Sequence, residues 1–391
     1  MVGSFDGSMV ESKATLKPSD SQTIKPKRVV VAMSGGIDSS VAAAMLLDKG
    51  YEVIGVTMRM WSSDDETIEK IARQSEQDAS RVASNLGIRH HVLDVRNEFA
   101  GCVVRNFVDE YSRGRTPNPC VVCNPRIKFG ELLKYTQDEL DAEYVATGHY
   151  ARIVWDASTS KWKLLKGVDR TKDQAYVLYR LNQSQLGKIL MPLGYHTKKE
   201  VRAMADQLNL HLADRPESQD ICFIPGGGYQ DFLRKSAPEL MQPGPIVDTS
   251  GKVLGEHEGI AFYTVGQRRG LRVASGRRLY VIAIDVRSNT IVLGEPGEFG
   301  QKAVLIKNVN MISGEKLSKS IAVSAKIRYN AQDSPAVLRP LPDECAVLDF
   351  EQTQRAVTPG QSAVFYDGDE VLGGGIIADR VESALESEVR R

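Results

Sequence analysis

The sequence predicts an α/β protein in which a doubly wound parallel sheet is followed by a small β-rich connector and a C-terminal antiparallel β-barrel. From residue 29 to residue 147 short apolar runs alternate with helical patterns. Strands separated by helices demand right-handed crossovers and a parallel sheet. Beyond about residue 220, Gly, Pro and β-forming residues dominate and long helical patterns become rare. At 391 residues the chain also exceeds one core of typical size. The expected divisions are a disordered leader over 1–27, a first domain over 28–220, a connector over 221–298, a barrel over 299–382 and a tail over 383–391.

The leader is rich in Ser, Thr and Lys and lacks the apolar core of a secretory signal. Asp6, Glu11 and Asp20, with no Arg before Arg28, argue against an organelle transit peptide. Residues 29–33 are a continuous apolar run, as a strand covered on both faces should be. Residues 38–49 form a helix rich in Ala, Leu and Met, stopped by Gly50. A second strand over 53–58 leads to a polar helix ending near Leu86, with Gly87 as its stop. A third strand over 91–95, a helix over 97–112 and a fourth strand over 144–147 complete the alternation. Ligands of such sheets bind beyond the carboxyl ends of the strands. Residues 280–286 and 290–293 read as a hairpin turning at Arg287, Ser288 and Asn289. Alternating segments over 303–309, 321–329, 336–338, 345–350, 362–366 and 375–378 supply the barrel.

Composition removes several classes of function. No apolar run approaches the roughly 18–20 residues of a membrane span. Lys plus Arg equals Asp plus Glu at 50 each, so bulk attraction to duplex DNA is not indicated. Five cysteines are too few and too odd for a secreted disulfide scaffold, which points to a reducing compartment, the cytoplasm.

Ser34-Gly35-Gly36-Ile37-Asp38-Ser39-Ser40 lies between the first strand and the first helix. Two glycines allow a sharp turn, and the hydroxyls with the free amides of a helix N-terminus complete a phosphate cradle. It is neither a Walker A loop, lacking Gly-Lys-Ser/Thr, nor a G-x-G-x-x-G fingerprint. A tight turn capped by Asp38 or Ser39 would use the same residues. The full Ser-Gly-Gly-x-Asp-Ser resembles the pyrophosphate loop of enzymes that split ATP between the α and β phosphates.

The second signal is cysteine placement. Cys120 and Cys123 form a C-x-x-C in a loop stiffened by Pro117 and Pro119, and Cys222 precedes a Gly-rich turn. Cys102 and Cys345 have apolar neighbours and are expected as buried packing residues. For the trio, a zinc site lacks its fourth ligand, and a thioredoxin-type pair lacks its usual strand-to-helix setting. Sulfur chemistry, with one thiolate carrying sulfane sulfur and another resolving it, and a three-cysteine iron–sulfur cluster both remain open.

The loop 34–39, the segment Gly114-Arg115-Thr116-Pro117-Asn118-Pro119 with Cys123-Asn124, Ala146-Thr147-Gly148-His149-Tyr150, Lys172-Asp173-Gln174, Ile221-Cys222-Phe223 and Thr358-Pro359-Gly360-Gln361-Ser362 together resemble the tRNA-specific 2-thiouridylases. The resemblance runs from residue 28 to residue 381 and places the first domain in the adenine nucleotide hydrolase-like, pyrophosphate-loop class. It implies ATP-dependent 2-thiolation of the wobble uridine in the tRNA anticodon loop, with adenylation of the C2 oxygen, sulfur transfer from a cysteine persulfide, and release of AMP and pyrophosphate. By that resemblance Ala32, Met33, Ser34, Gly35, Gly36, Ile37, Asp38, Ser39, Met58 and Gly148 line an ATP site, with magnesium near Asp38. Cys222 carries the persulfide and Cys123 is the nucleophile, the two ending as a transient disulfide. Asn118, Pro119 and Cys120 touch the target base, while His149, Lys172, Asp173, Gln174, Arg328, Tyr329 and Gln361 contact tRNA. A persulfide donor or relay protein is the further partner. Many members carry Asp where Cys120 stands, and a thiol cannot copy a carboxylate of pKa near 4. Either that role is dispensable or Cys120, Cys123 and Cys222 form a cluster-binding trio.

Charge patterning fits an RNA partner. Residues 266–278 hold Arg268, Arg269, Arg272, Arg277 and Arg278 with no acid. Residues 161–172 hold Lys161, Lys163, Lys166, Arg170 and Lys172 against Asp169. Both strips are expected at the phosphate backbone. A small-molecule adenylating enzyme would explain the loop without the paired cysteines, and a non-catalytic RNA-binding protein would not need the loop.

Overall fold

The structure is a computed structural model that describes residues 26–62, 66–208, 210, 221–224, 228–274, 276–298 and 300–379. The leader through residue 25, the Gly-rich stretch 225–227 and the tail from residue 380 lie outside the described residues. The chain begins with β1 (Arg28–Ala32), α1 (Ile37–Asp48), β2 (Glu52–Arg59), α2 (Glu66–Asn85) and β3 (Arg89–Asp94). Val29, Val30 and Val31 are fully buried, as the continuous apolar run requires of a strand covered on both faces. A long helical stretch follows as α3 (Arg96–Phe99), a π-helical segment Ala100–Val104, and α4 (Arg105–Ser112).

The C-x-x-C lies on a helix, not in the proline-stiffened loop that the sequence suggests. In α5 (Pro119–Cys123), Asn118 is the N-cap and its side chain accepts a hydrogen bond from the Cys120 amide at 3.1 Å. Pro119 occupies the first helical position, where its missing N–H costs nothing and its fixed φ fits the turn. A second π-helical segment, Asn124–Glu131, continues directly into α6 (Leu132–Asp138).

Next come β4 (Tyr144–Ala146), the hairpin β5 (Ala151–Asp156) and β6 (Lys161–Lys166), α7 (Gln183–Leu186), β7 (Ile189–Leu190) and α8 (Lys198–Gln207). The first sheet is parallel in the order β3-β2-β1-β4-β7. The strand order therefore reverses between β1 and β4, and the crevice at their carboxyl ends is where this architecture holds ligands.

After α9 (Gly228–Ser236), the connector contributes β8 (Gly244–Asp248), β9 (Val253–His257), β10 (Tyr280–Asp285) and β11 (Thr290–Gly294). These form a mixed sheet in the order β10-β11-β8-β9, with the expected hairpin at β10 and β11. The last section is β12 (Gln301–Met311), β13 (Ile321–Lys326), β14 (Ser334–Leu341), β15 (Cys345–Gln354), β16 (Ser362–Asp367) and β17 (Glu370–Ile377). It runs β12-β15-β14-β13-β16-β17 and closes by antiparallel pairing of β12 with β17.

One connection had no local signature. The hairpin β5–β6 joins the barrel by pairing β6 with β17 through Leu165 opposite Glu370 and Leu164 opposite Val371. The Tyr176 hydroxyl donates to the Ser362 carbonyl at 2.7 Å, and the Asn310 side chain donates to the Tyr179 carbonyl at 2.7 Å. Cys102 and Cys345 depart from expectation, since both are half-buried. Cys102 packs partly against a hydrophobic core while bordering a groove beside its π-helical segment, and Cys345 opens β15 at a turn, outside any core.

The seam between the first domain and the barrel leaves no spare room. A Cβ at Gly374 would lie 2.6 Å from the Tyr179 ring and 2.7 Å from the Ala363 carbonyl. Gly374→Ala is therefore expected to destabilise the protein by about 1–3 kcal/mol, the usual range for overpacking. Scanning calorimetry reads this as a lowered Tm, and an unchanged Tm would show that ring and strand can part freely.

Candidate active site at the sheet crevice and the cysteine helix

Gly36 is the N-cap of α1, with φ −96° and ψ 168°, and no side chain caps the helix. The cap expected from Asp38 or Ser39 is not made. Ser39 Oγ instead accepts from the Ser34 amide at 3.2 Å and donates to the Gly36 carbonyl at 3.2 Å. The first-turn amides thus face the crevice, a ready anion site. Gly35 has φ +71°, and a Cβ there would lie 2.5 Å from the Ser75 carbonyl, so only glycine fits.

The Asp38 carboxylate turns to Lys198, whose ammonium donates to both oxygens at 2.7 and 2.8 Å, and to the Tyr150 hydroxyl at 2.8 Å. From the far side, Gly148 at the end of β4 presses against this turn. A Cβ there would meet the Asp38 carbonyl carbon at 2.8 Å and the Ser39 amide nitrogen at 2.9 Å. Ala32 and Met58 sit half-buried at the ends of β1 and β2, while Met33 is buried and can offer the crevice only backbone. The residues expected to line a nucleotide site thus gather at one place. Lys198 and Tyr150 belong there too but were not singled out from sequence.

The sulfur residues occupy the neighbouring wall. Cys123 is 5 % exposed, whereas Cys120 and Cys222 reach solvent, and all five cysteines are free. Cys222 is held by its neighbour Phe223, a buried ring packed edge-on against Phe99, Phe107 and Phe232 at centroid distances of 5.2–5.6 Å. Burial pushes the Cys123 thiol up to about 12, opposed by the Lys128 ammonium and reinforced by Cys222, Cys120 and Cys102. Surrounding protein likewise pushes Cys222 up to about 11, again opposed by Lys128. Lys128 was missed because a lysine in an Ile-Lys-Phe run carries no motif.

His149 is 8 % exposed, and its Nδ1 lies 2.7 Å from the Thr147 hydroxyl. Burial, with Lys128 adding to it, lowers its pKa well below the ordinary value, so the ring is neutral. The other residues expected at tRNA meet along one rim. The Tyr329 hydroxyl donates to the Asp173 carbonyl at 3.1 Å, and the Asp173 carboxylate accepts from the Gly167 amide at 2.9 Å. Gln174 Oε1 accepts from the Tyr150 amide at 3.0 Å, and Lys172 is half-buried in the same turn. Arg328 donates to the Arg355 carbonyl at 2.8 Å. Gln361 Nε2 donates to the Thr116 carbonyl at 2.8 Å, so Gln361 braces the segment carrying Asn118 and Pro119.

The two basic strips part company. Lys161 pairs with Glu315, Lys163 with Asp156 and Glu370, Lys166 with Asp333, and Arg170 with Asp369. Most of that strip is paired with neighbouring acids, which leaves less free positive charge there than the sequence suggests. In the connector, Arg268, Arg272, Arg277 and Arg278 line an open groove of about 480 Å³. Arg272 pairs with Glu258 and Arg277 with Glu295.

No group of three or more His, Cys, Asp or Glu side chains among the described residues is placed to hold a metal ion. The three cysteines do not converge as cluster ligands, and Asp38 is already engaged by Lys198. These residues do not fit an iron–sulfur cluster or a magnesium ion on Asp38 as they stand.

Fold and site together define a nucleotide-binding α/β enzyme with a thiol pair, extended by two β modules. Family models match in chain order: a tRNA methyl transferase HUP domain over residues 27–226, a tRNA methyl transferase PRC-barrel domain over 230–295 and an aminomethyltransferase beta-barrel domain over 301–377. The chain is 49 % identical over 362 residues to a tRNA-specific 2-thiouridylase of Caldanaerobacter subterraneus subsp. tengcongensis, covering 91 % of this chain and 99 % of that protein. It is 47 % identical over 356 residues to the tRNA-specific 2-thiouridylase of Acetivibrio thermocellus, covering 90 % and 99 % respectively. Among solved structures, a U34-tRNA thiolase from Methanococcus maripaludis with a [4Fe-4S] cluster aligns at 21 % identity and TM-score 0.32 over 54 % of this chain and 67 % of that one, too distant to carry an inference. The chain belongs to the tRNA-specific 2-thiouridylase family and is a tRNA-modifying sulfurtransferase.

The neutral, buried His149 has a consequence for stability. A depressed folded-state pKa contributes stability that is present above the unfolded value of about 6.5 and lost as pH falls below it. His90, His196 and His257 shift the same way, also through burial. The urea midpoint is expected to fall between pH 7.5 and pH 5.5, and to fall less in His149→Gln. An equal fall in that variant would remove His149 from the acid response.

Proposed function

We propose that the protein is an ATP-dependent tRNA-uridine 2-sulfurtransferase acting at C2 of the wobble uridine. The reading is carried by the uncapped, glycine-lined N-terminus of α1, against which Gly148 presses, with Lys128 acting both on the adjacent His149 and on Cys123 and Cys222. A pyrimidine C2 oxygen is a poor leaving group. The phosphate cradle supports its conversion to a good one: the C2 oxygen bonds to the α-phosphorus of ATP and pyrophosphate departs. In this reading Cys222 carries the sulfane sulfur as a persulfide. The Cys123 thiolate bonds to the inner sulfur, the persulfide S–S bond breaks, and the released hydrosulfide displaces AMP at C2. A Cys123–Cys222 disulfide remains, and a thiol reductant returns two electrons to it. The persulfide itself comes from a donor or relay protein.

Cys222 sits on the short turn anchored by Phe223, which suits a carrier that must swing toward Cys123. An anticodon base is already single-stranded, so splaying it toward Asn118, Pro119 and Cys120 costs little. The rim of His149, Lys172, Asp173, Gln174, Arg328, Tyr329 and Gln361 would flank the loop, and the arginine groove of the connector would meet backbone phosphates. Cys120 stands where the family resemblance implies an Asp in many members. Its exposed thiol orients the base only by contact in this reading, without acid or base work.

Incubation with unmodified tRNA, ATP and a persulfide donor is expected to yield 2-thiouridine and an equal amount of AMP, read by nucleoside mass spectrometry and nucleotide chromatography. Neither product appearing would sink the proposal. Cys222→Ser should abolish thiolation while tRNA-dependent adenylation persists, and full thiolation by that variant would refute the persulfide role. Arg268→Ala combined with Arg269→Ala should weaken tRNA binding and flatten its salt dependence. An unchanged slope of binding against salt would return that groove to ordinary surface.

A further inference from the structure

Sulfur transfer needs an anion on sulfur where the surroundings oppose charge. The groups acting most strongly on Cys123 among the described residues are Lys128, Cys222, Cys120 and Cys102, and on Cys222 they are Lys128 and Cys120. Of these only Lys128 is cationic. Tyr329 faces Cys120 from the barrel, and Arg126, Glu131 and Glu98 act on Cys102 along the groove on the other side. His149, on the sheet side, faces Lys128 and is neutral.

The placement of Lys128 follows from an unusual stretch of backbone. Cys123 is the N-cap of the π-helical segment Asn124–Glu131, and Lys128 lies five residues beyond it. A π-helix bonds residue i+5 back to residue i, so positions 123 and 128 stack one turn apart on the same side. In an α-helix the same five-residue spacing would carry residue 128 about 140° round from residue 123. The Lys128 side chain is half-buried, and its ammonium makes no hydrogen bond or ion pair among the described residues. This half-buried cation, without a hydrogen-bond or ion-pair partner among the described residues, acts on both thiols and on a neutral imidazole, which makes the sulfur site the place it can serve.

We propose that Lys128 is the counter-cation of the sulfur-transfer site, a positioning residue whose ammonium stabilises and aims the anionic sulfur on Cys123 and on the Cys222 persulfide. This rests on the persulfide reading for its catalytic meaning, though not for the effect of Lys128 on the two thiols. The π turn is then the device that brings the charge to the nucleophile. Burial, with Lys128 adding to it, keeps His149 neutral, so no second cation competes for the sulfur.

The test uses the full-length reduced protein with Lys128→Met, Lys128→Gln and Lys128→Arg. Iodoacetamide alkylation of the Cys123 and Cys222 peptides is followed against pH by mass spectrometry, with circular dichroism selecting the folded variants. Lys128→Met or Lys128→Gln should move both alkylation profiles to higher pH by about one unit, the scale expected on losing a nearby opposite charge. Thiolation kcat should fall at least tenfold with KM for tRNA unchanged, and Lys128→Arg should restore most of both. Profiles superimposable on the wild type would overturn the proposal. So would a raised KM with unchanged profiles, which would make Lys128 an RNA contact. If the profiles shift while Cys222→Ser still thiolates tRNA, the lysine's electrostatic role stands and the persulfide reading fails.

Discussion

Thr116 gives its amide to the Pro359 carbonyl at 2.9 Å and takes the Gln361 side chain on its own carbonyl at 2.8 Å, across 245 residues of sequence. Gly360, with φ +87°, lets that barrel loop come so close that a Cβ would lie 2.9 Å from Arg115. Thr264 of the connector hydrogen-bonds the Thr116 hydroxyl at 3.0 Å, and Arg115 pairs with Asp379. All three sections of the chain therefore hold the few residues before α5. A helix of five residues has no independent stability. Its Asn118 cap and Pro119 start give it a direction, and the clamp gives it a place. The barrel thus fixes the segment that leads into the cysteine helix.

The crevice and the cysteine wall follow opposite electrostatic plans. At the crevice, backbone amides and Lys198 provide positive character that awaits an anion, with Asp38 the local balance. At the wall, burial holds Cys123 and Cys222 as thiols and His149 as a neutral ring. A resting enzyme built this way protects its sulfur from oxidants, since thiolate is the reactive form. In the proposed mechanism it must then generate the anion on demand, and Lys128 is the cation proposed to help. The two plans meet at Gly148 and His149, adjacent residues that close the crevice and line the wall.

Much of this was legible in the chain. The apolar run at β1, the two glycines of the loop and the switch to β texture each have a local physical cause, so each leaves a local trace. What escaped was set by distant partners or by an unusual period. Asp38 reads as a helix cap until Lys198, 160 residues away, claims its carboxylate. The prolines around Cys120 read as loop-formers, although Asn-Pro before a helical turn is equally a start signal. Lys128 could not be aligned with Cys123 on a 3.6-residue wheel, because the backbone there winds more slowly. The basic residues 161–172 read as a phosphate-facing strip because most of the acids that pair with them lie far along the chain.

The bond between β6 and β17 sets an order of events during translation. Leu164 pairs with Val371 of the last strand, so β6 leaves the ribosome long before the strand that will cover it. A waiting strand edge invites pairing with other nascent chains. β6 carries Lys161, Lys163 and Lys166, and lysines on an exposed edge repel such pairing. When the barrel arrives, Glu315, Asp333 and Glu370 neutralise those same lysines. The residues that guard the unfinished chain become the ones that fasten its last domain.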